Sequence, residues 1–165
     1  MAVIQLFSKE LEQEAQITRK MLSRVPHDKY DWQPHEKSMS MIRLATHVAE
    51  LPSWVSMALT TDELDFAQNP YQPEKIDSTE QLLAYFERTL NEGKTELAKA
   101  NVEQLEQPWV LREGDTVYNR YTKGEVIRMA ISQIIHHRAQ LGVYLRLLDI
   151  PVPASYGPSA DEAEF

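Results

Sequence analysis

The sequence predicts an all-α protein, a four-helix bundle with partly long connections between its helices. Five glycines in 165 residues are few for an all-β chain or a dinucleotide-binding α/β fold, and neither GxGxxG nor GxxxxGK occurs. Nine prolines punctuate the chain. The stretches between them carry apolar residues at spacings of three and four, which is the period of an amphipathic helix. Each helix is justified in turn below.

The first and third helices have clear boundary signals. The first spans about residues 3–24, and Pro26 ends it. Residues 62–77 are rich in Asp and Glu, which predicts an acidic, solvated connection. The sequence STEQ at 78–81 fits a capping box and therefore predicts the start of the third helix. The apolar positions of these two helices are Ile4, Phe7, Leu11, Ala15, Thr18 and Leu22, followed by Leu82, Leu83, Phe86, Leu90 and Leu97.

The second helix is predicted to be interrupted. It begins near Ser38 or Ser40, either of which is a suitable N-cap. Pro52 lies inside it and has no N–H to donate to the Val48 carbonyl, so we expect a kink or break one turn beyond His47. Its inward stripe consists of Leu44, His47, Leu51, Trp54, Val55 and Ala58.

The last third of the chain is predicted to contain a small hairpin, a long helix and a tail. Two short β-like runs within residues 109–121 flank the turn sequence EGD, which predicts the hairpin. We expect residues 1–150 to form the bundle, and residues 151–165, which are proline-rich and acidic, to be an extended tail of the same domain. The fourth helix covers about residues 124–148. Its stripe is Val126, Ala130, Gln133, His137, Leu141, Tyr144 and Leu148.

Composition argues against several function classes. Lys and Arg total 17 against 25 Asp and Glu, a net charge of −8, and so acidic a surface repels nucleic acid and anionic membranes. The absence of cysteine excludes disulfides, Cys nucleophiles, Cys-based zinc sites and iron–sulfur clusters. The N-terminus lacks a basic start and a long apolar stretch, so we expect a soluble, cytoplasmic protein.

Three polar side chains are predicted to converge inside the bundle. His47 and His137 each lie in the apolar stripe of their own helix. At about 100° per residue, Gln133 is only about 40° from His137, whereas His136 is about 100° away, on the flank of the stripe. Glu50 lies one turn from His47 and within reach of it. Two helices therefore direct His47, Gln133 and His137 toward one point.

Two interpretations of these buried histidines stay open. Imidazole is the commonest side-chain ligand of divalent transition metals, and metal binding would offset the cost of burying it. Alternatively, each ring forms a hydrogen bond with a buried hydroxyl, carboxylate or water. Because HExxH, ExxH and HxxxH are all absent, the metalloprotease and di-iron bundle patterns do not match.

Other polar and aromatic residues are given structural interpretations. His27 and His35 lie in a polar loop and are predicted to be solvated. Arg138 and Arg146 alternate with apolar residues and are predicted to flank an amphipathic helix. The aromatic side chains of the loop and the second helix fit core packing or loop anchoring better than a pocket lining; they are Tyr30, Trp32 and Trp54.

Three segments carry a resemblance to a known family. They are DWQPHEKSMSMIRLATHVAELPSW at 31–54, HHRAQLGVYLRLLDIPVP at 136–153 and YGPSADE at 156–162. On these the chain resembles the DinB-like family of metal-dependent four-helix-bundle proteins, related to the YfiT-type proteins. The resemblance implies a bundle with a long crossover that pairs as a homodimer. It also implies a divalent metal, Ni, Zn or Fe, held by one His on the second helix and two His, four residues apart, on the fourth.

The chain departs from this pattern at one ligand. The resemblance assigns His47 and His137 as metal ligands, but the position of the third holds Gln133. An amide oxygen is a weaker ligand than imidazole for Zn or Ni. If the site is functional, the resemblance implies a metal-dependent hydrolase or a transferase that uses low-molecular-weight thiols, acting on a small molecule. The alternative is a non-catalytic relative, a small-molecule-binding protein or dimeric scaffold with a degenerate site.

Overall fold

The computed structural model describes residues 2–163, which are mostly helical and include a small three-stranded sheet. The prediction of an all-α class is therefore correct for the helices, which make up most of the fold, but it does not account for the sheet. None of the helices in residues 2–163 is long and apolar enough to cross a membrane. The helices are α1 (Ala2–Leu22), α2 (Met41–Glu50), α3 (Ser53–Thr60), α4 (Thr79–Lys99), α5 (Val102–Leu105) and α6 (Lys123–Leu147). The strands are β1 (Glu63–Asp65), β2 (Pro108–Glu113) and β3 (Thr116–Thr122), and a 3₁₀ helix spans His27–Lys29.

The predicted break in the second helix is present. Ser40 caps α2 by accepting a hydrogen bond from the Arg43 N–H, and α2 ends at Glu50. After Leu51 and Pro52, α3 begins at Ser53. Because Pro52 has no N–H, the helical hydrogen-bond ladder cannot run through it. His47 is consequently in the last turn of a short helix, where side chains of a second element can approach it.

The acidic connection is structured at its start, which the sequence did not predict. Residues 63–65 form β1, which pairs in parallel with β2, while β2 and β3 form the predicted antiparallel hairpin. Asp65, predicted to be solvated, is only 4% exposed and accepts hydrogen bonds from the Gly114 N–H (2.9 Å) and the Ala67 N–H (3.0 Å). A strand of three residues has no stability of its own, so β1 forms only because it pairs with the distant hairpin.

The predicted N-cap of α4 is present, but the predicted capping box is not formed there. Ser78 caps α4 by accepting from the Gln81 N–H, yet the Gln81 side chain accepts from the Asp77 N–H rather than from that of Ser78. The reciprocal capping box is instead at α6. There the Thr122 hydroxyl accepts from the Glu125 N–H (3.2 Å) and the Glu125 carboxylate accepts from the Thr122 N–H (2.7 Å). This pair fixes the start of the helix that carries His137.

Helices α4 and α6 each pack against α1, α2 and α3. The predicted stripes supply most of this core, since Leu11, Ala15, Thr18 and Leu22 of α1 are buried and face α4 and α6. Because α2 packs directly on α6, His47 and His137 lie on facing helices. The largest fully buried side chains are Trp109, Phe86, Leu11, Leu22, Met41, Leu44, Leu51, Leu82, Leu97, Ile127, Ile131 and Ile134.

Arg138 corrects one prediction. It does not flank the helix at the surface: it is 3% exposed, and its Nη1 lies 2.6 Å from Glu14 Oε2 on α1. The Tyr156 hydroxyl accepts from Arg138 Nη2 (3.0 Å) and donates to Glu14 Oε1 (2.8 Å). An arginine among apolar residues is thus a buried anchor for the C-terminal segment, which has no helix or strand over residues 151–163. Arg146, by contrast, is exposed as predicted and pairs with Asp161.

Candidate metal centre

The imidazole rings of His47 and His137 face each other across the contact between α2 and α6. Their centroids are 4.7 Å apart and their planes are inclined by 67°. The His47 side chain is 15% exposed, and His137 is half-buried. The periodicity of the two stripes thus places both rings on one interhelical contact, close to solvent rather than deep in the core.

Both rings are held in the same way by a side chain three residues further along. His47 Nδ1 lies 2.6 Å from Glu50 Oε1, and His137 Nδ1 lies 2.8 Å from Gln140 Oε1. Carboxylate and amide oxygens accept hydrogen bonds, so both contacts favour the tautomer with the proton on Nδ1. In the neutral rings each Nε2 then has a free lone pair, which is the form of histidine that binds a metal.

The environment of His137 favours its neutral form. Burial lowers the pKa of the His137 imidazole, and the adjacent His47 and His136 rings lower it further, because a second positive charge beside them is unfavourable. The hydrogen bond to Gln140 acts in the opposite direction with a smaller effect than burial. A ring that stays neutral at physiological pH keeps its lone pair available.

Gln133 and His136 complete the immediate surroundings. Gln133 lies one turn before His137 on α6 and is half-buried. His136 is exposed, as its position on the flank of the stripe predicted, but its ring centroid is 4.8 Å from that of His137. Within residues 2–163, no three His, Asp or Glu side chains converge on a point suited to a metal ion. The nitrogen donors that approach each other from two different helices are those of His47 and His137.

This donor set fits two of the ligands that a divalent transition metal requires. With a metal–nitrogen bond of about 2.1 Å, two neighbouring imidazoles on one ion have centroids about 5 Å apart, and the observed separation is 4.7 Å. Gln133 offers an amide oxygen in place of a third imidazole, and Zn and Ni bind such an oxygen less strongly. The pair is suitable for metal binding, and the weak element is the third position.

Two further residues reach this centre, and neither was predicted from the sequence. The Tyr71 hydroxyl donates to Glu50 Oε2 (2.7 Å), and Arg43 Nη1 donates to the Tyr71 oxygen (2.8 Å). Arg43 stands four residues before His47 on α2, a spacing that places both on one helix face and is a usable signal. Tyr71 is 21 residues from Glu50 in a connection without regular structure, so local sequence gives no signal for it.

A cleft of about 570 Å³ opens on the neighbouring face of α2. Its walls include Ile42, Arg43 and Thr46, together with Tyr30 and residues 73–77 of the connection before α4. Tyr30 also packs against the core, as do the two other predicted anchoring aromatics, Trp32 and Trp54. His27 lines the cleft rim and is exposed, as is His35. Arg43 therefore lines the cleft and also belongs to the series of hydrogen bonds that ends at His47.

The sequence pattern that defines the DinB family matches residues 1–164. The chain belongs to the DinB family. The resemblance that the sequence suggested is therefore confirmed. Among curated DinB relatives, the uncharacterized protein YjoA of Bacillus subtilis is 30% identical over 133 residues, covering 79% of this chain and 80% of that protein. The uncharacterized protein YrdA of the same organism is 23% identical over 160 residues, covering 94% and 89%.

Solved DinB structures have the same fold. A DinB-like protein (YjoA) from Bacillus subtilis superimposes with a TM-score of 0.68 and 18% identity over the structural alignment, covering 96% of this chain and 99% of that one. A member of the family from Exiguobacterium sibiricum gives 0.66 with 20% identity, covering 90% and 93%. A DinB-like protein from Bacillus cereus gives 0.69 with 18% identity, covering 91% and 95%. At these identities the similarity establishes the DinB fold and no activity.

Proposed function

We propose that this DinB-family protein binds a divalent metal, Ni, Zn or Fe, through Nε2 of His47 and of His137, with the Gln133 amide oxygen as a weaker third donor. The observation that carries the proposal is the facing pair of rings, 4.7 Å between centroids, with each Nδ1 held by an acceptor oxygen. Two such rings leave further coordination positions for water and a substrate. We propose that the chain is a metal-dependent hydrolase or a transferase that uses a low-molecular-weight thiol.

The bound metal would supply Lewis-acid activation of a water, a thiol or a carbonyl. The residues of the chain have the remaining tasks. Glu50 and Gln140 orient the two imidazoles through Nδ1, which leaves both Nε2 atoms without a partner in these contacts. The partial burial of the His47 side chain limits competition from bulk water while leaving a small molecule access.

A non-catalytic role is the alternative, and two observations favour it. Gln133 replaces an imidazole, and residues 2–163 offer no cluster of three His, Asp or Glu side chains for a metal. In this alternative the site has degenerated, and the protein binds a small molecule or acts as a dimeric scaffold. The 570 Å³ cleft bordered by Arg43 has a volume suitable for such a ligand.

The finer architecture belongs to the same proposal. We infer a four-helix bundle with a long crossover, made of α1, the broken α2–α3 helix, α4 and α6, working as a cytoplasmic homodimer. The mutual packing of these helices supports the bundle. Val143 and Leu147, four residues apart on α6 and each 58% exposed, support a face that a second copy covers. Light scattering of the purified protein tests the dimer directly.

The metal proposal is tested by elemental analysis and calorimetric titration with Ni²⁺ and Zn²⁺. We expect His47→Ala and His137→Ala to lose metal, while His35→Ala, which removes an exposed imidazole, binds like the wild type. Retention of metal by His137→Ala would overturn the ligand assignment. If the wild type binds no metal but Gln133→His does, the non-catalytic alternative is correct. Hydrolase and thiol-transfer substrate panels follow only when the wild type binds metal.

A further inference from the structure

Four side chains form a continuous hydrogen-bonded chain that ends at His47. Arg43 Nη1 donates to the Tyr71 oxygen (2.8 Å), the Tyr71 hydroxyl donates to Glu50 Oε2 (2.7 Å), and Glu50 Oε1 lies 2.6 Å from His47 Nδ1. The Arg43 guanidinium also stacks over the Tyr71 ring at 4.5 Å from its centroid. Three of the four residues belong to α2, and Tyr71 comes from the crossover segment, residues 66–78, between β1 and α4.

Arg43 fixes the direction of the first two hydrogen bonds of this network. A guanidinium has donors and no acceptor, so the Tyr71 oxygen must accept from Arg43. The single Tyr71 proton is then directed to Glu50 Oε2. The other oxygen, Glu50 Oε1, lies 2.6 Å from His47 Nδ1. A carboxylate accepts at both of its oxygens, and a Glu50 carboxylate therefore favours the His47 tautomer with its proton on Nδ1.

We propose that Arg43 and Tyr71 are positioning residues that, through Glu50, hold His47 in the tautomer whose Nε2 lone pair is free beside His137. The consequence for metal affinity rests on the proposed function, whereas the tautomer is a property of the metal-free protein. The crossover segment thus controls the coordination chemistry of a residue on another element, although the hydrogen bonds of Tyr71 are with Arg43 and Glu50.

Packing orders the hydrogen bonds that link Arg43, Tyr71, Glu50 and His47. The Glu50 side chain is 8% exposed, so its carboxylate has little access to water that could replace the Tyr71 hydroxyl. Tyr71 is 44% exposed, but the stacked guanidinium covers one face of its ring and fixes its orientation. Without Tyr71, nothing in these contacts keeps Arg43 and Glu50 apart. Their opposite charges favour a direct pair that draws the carboxylate away from His47.

The test is the tautomer of His47 in metal-free protein, measured by long-range ¹H–¹⁵N correlation of the imidazole nitrogens at pH 8, with His47→Ala identifying the signals. In the wild type we expect Nδ1 protonated and Nε2 unprotonated. In Tyr71→Phe and in Arg43→Met we expect a mixture in which Nε2–H becomes substantial. The matched control is Tyr118→Phe, which removes another exposed tyrosine hydroxyl that donates to a glutamate, Glu113, on the sheet. An unchanged His47 tautomer in a folded Tyr71→Phe protein overturns the proposal.

Titration with Ni²⁺ separates this proposal from the proposed function. Outer-shell partners of metal-binding histidines change affinity by about 10- to 100-fold. Because Tyr71 acts through Glu50, we expect Tyr71→Phe to weaken Ni²⁺ binding by up to about tenfold and Tyr118→Phe to leave it unchanged. Wild-type protein that binds none of Ni²⁺, Zn²⁺ and Fe²⁺ would refute the proposed function, while the tautomer result would still decide the role of Tyr71. A tautomer change with unaltered Ni²⁺ affinity would refute the link from Tyr71 to the metal.

Discussion

The guanidinium of Arg138 and the carboxylate of Glu14 form a buried ion pair next to His137. Arg138 directly follows His137, its Nη1 lies 2.6 Å from Glu14 Oε2, and the two side chains are 3% and 7% exposed. Arg138 also donates to the Thr18 hydroxyl (3.1 Å). These contacts fix the rotation of α6 against α1 and so help to keep His137 turned toward α2.

Replacing Arg138 by methionine is expected to destabilise the protein strongly. The substitution leaves the Glu14 carboxylate buried without its counter-charge, which costs about 3–5 kcal/mol of unfolding free energy. Urea denaturation followed by circular dichroism measures this loss. Arg128→Met, at an exposed arginine of the same helix, is the control and should change stability little.

A double variant distinguishes loss of the pair from loss of packing. Arg138→Met combined with Glu14→Leu removes both charges, and apolar replacement of a whole buried pair is often neutral. We therefore expect the double variant to regain most of the stability. A double variant as unstable as Arg138→Met alone would mean that the shape of the arginine, rather than its charge, is what the site needs.

Gly93→Ala should weaken the contact between α4 and the break in the second helix. A Cβ at Gly93 would lie 2.5 Å from the Pro52 carbonyl oxygen, and neither backbone can move without shifting a helix. We expect a loss of about 1–3 kcal/mol in chemical denaturation, typical of overpacking. At Gly142 the added Cβ would meet the flexible end of Met21 at 3.4 Å. Gly142→Ala should therefore leave the free energy of unfolding unchanged or raise it by up to about 1 kcal/mol, because alanine has the higher helix propensity. An equal loss of stability in the two variants would contradict this prediction.

Gln133→His should strengthen metal binding. It adds an imidazole one turn before His137, giving three nitrogen donors from two helices. Since outer-shell changes alone alter affinity by about 10- to 100-fold, we expect a gain of about tenfold or more for Ni²⁺ and Zn²⁺ by calorimetry. Gln16→His, at an exposed position of α1, adds an imidazole elsewhere and should give no gain. A gain of equal size in both variants would indicate adventitious binding by the added imidazole.

Asp161 should contribute to acid sensitivity. Its hydrogen bonds with Arg146, and then with the Val152 N–H, lower the pKa of the Asp161 carboxyl. Because the pKa is lower in the folded state, the stabilisation is complete above the unfolded value near 3.8 and disappears as pH falls through the folded value. Urea midpoints of the wild type and Asp161→Asn should therefore differ at pH 6 and begin to converge only as the pH falls below about 3.8. A constant difference across that range would contradict this assignment.

Local signals were sufficient for most of the secondary structure. The period of the apolar residues predicted the long helices, Pro52 predicted the break, and Ser40 predicted a cap, because each acts within one or two helical turns. The β1 strand at 63–65 was missed because its partner, β2, is more than 40 residues away. Arg138 was misread for a similar reason, since its partner Glu14 is on α1.

The sequence by itself determined the DinB family, the helical fold and the direction of His47 and His137 toward one interhelical contact. Periodicity is sufficient for that, because it specifies which face of a helix is buried. Only the tertiary structure decided what surrounds those rings. Tyr71 is 21 residues from Glu50 and forms hydrogen bonds with both Glu50 and Arg43. Such contacts depend on the path of the connection between β1 and α4 rather than on any local spacing.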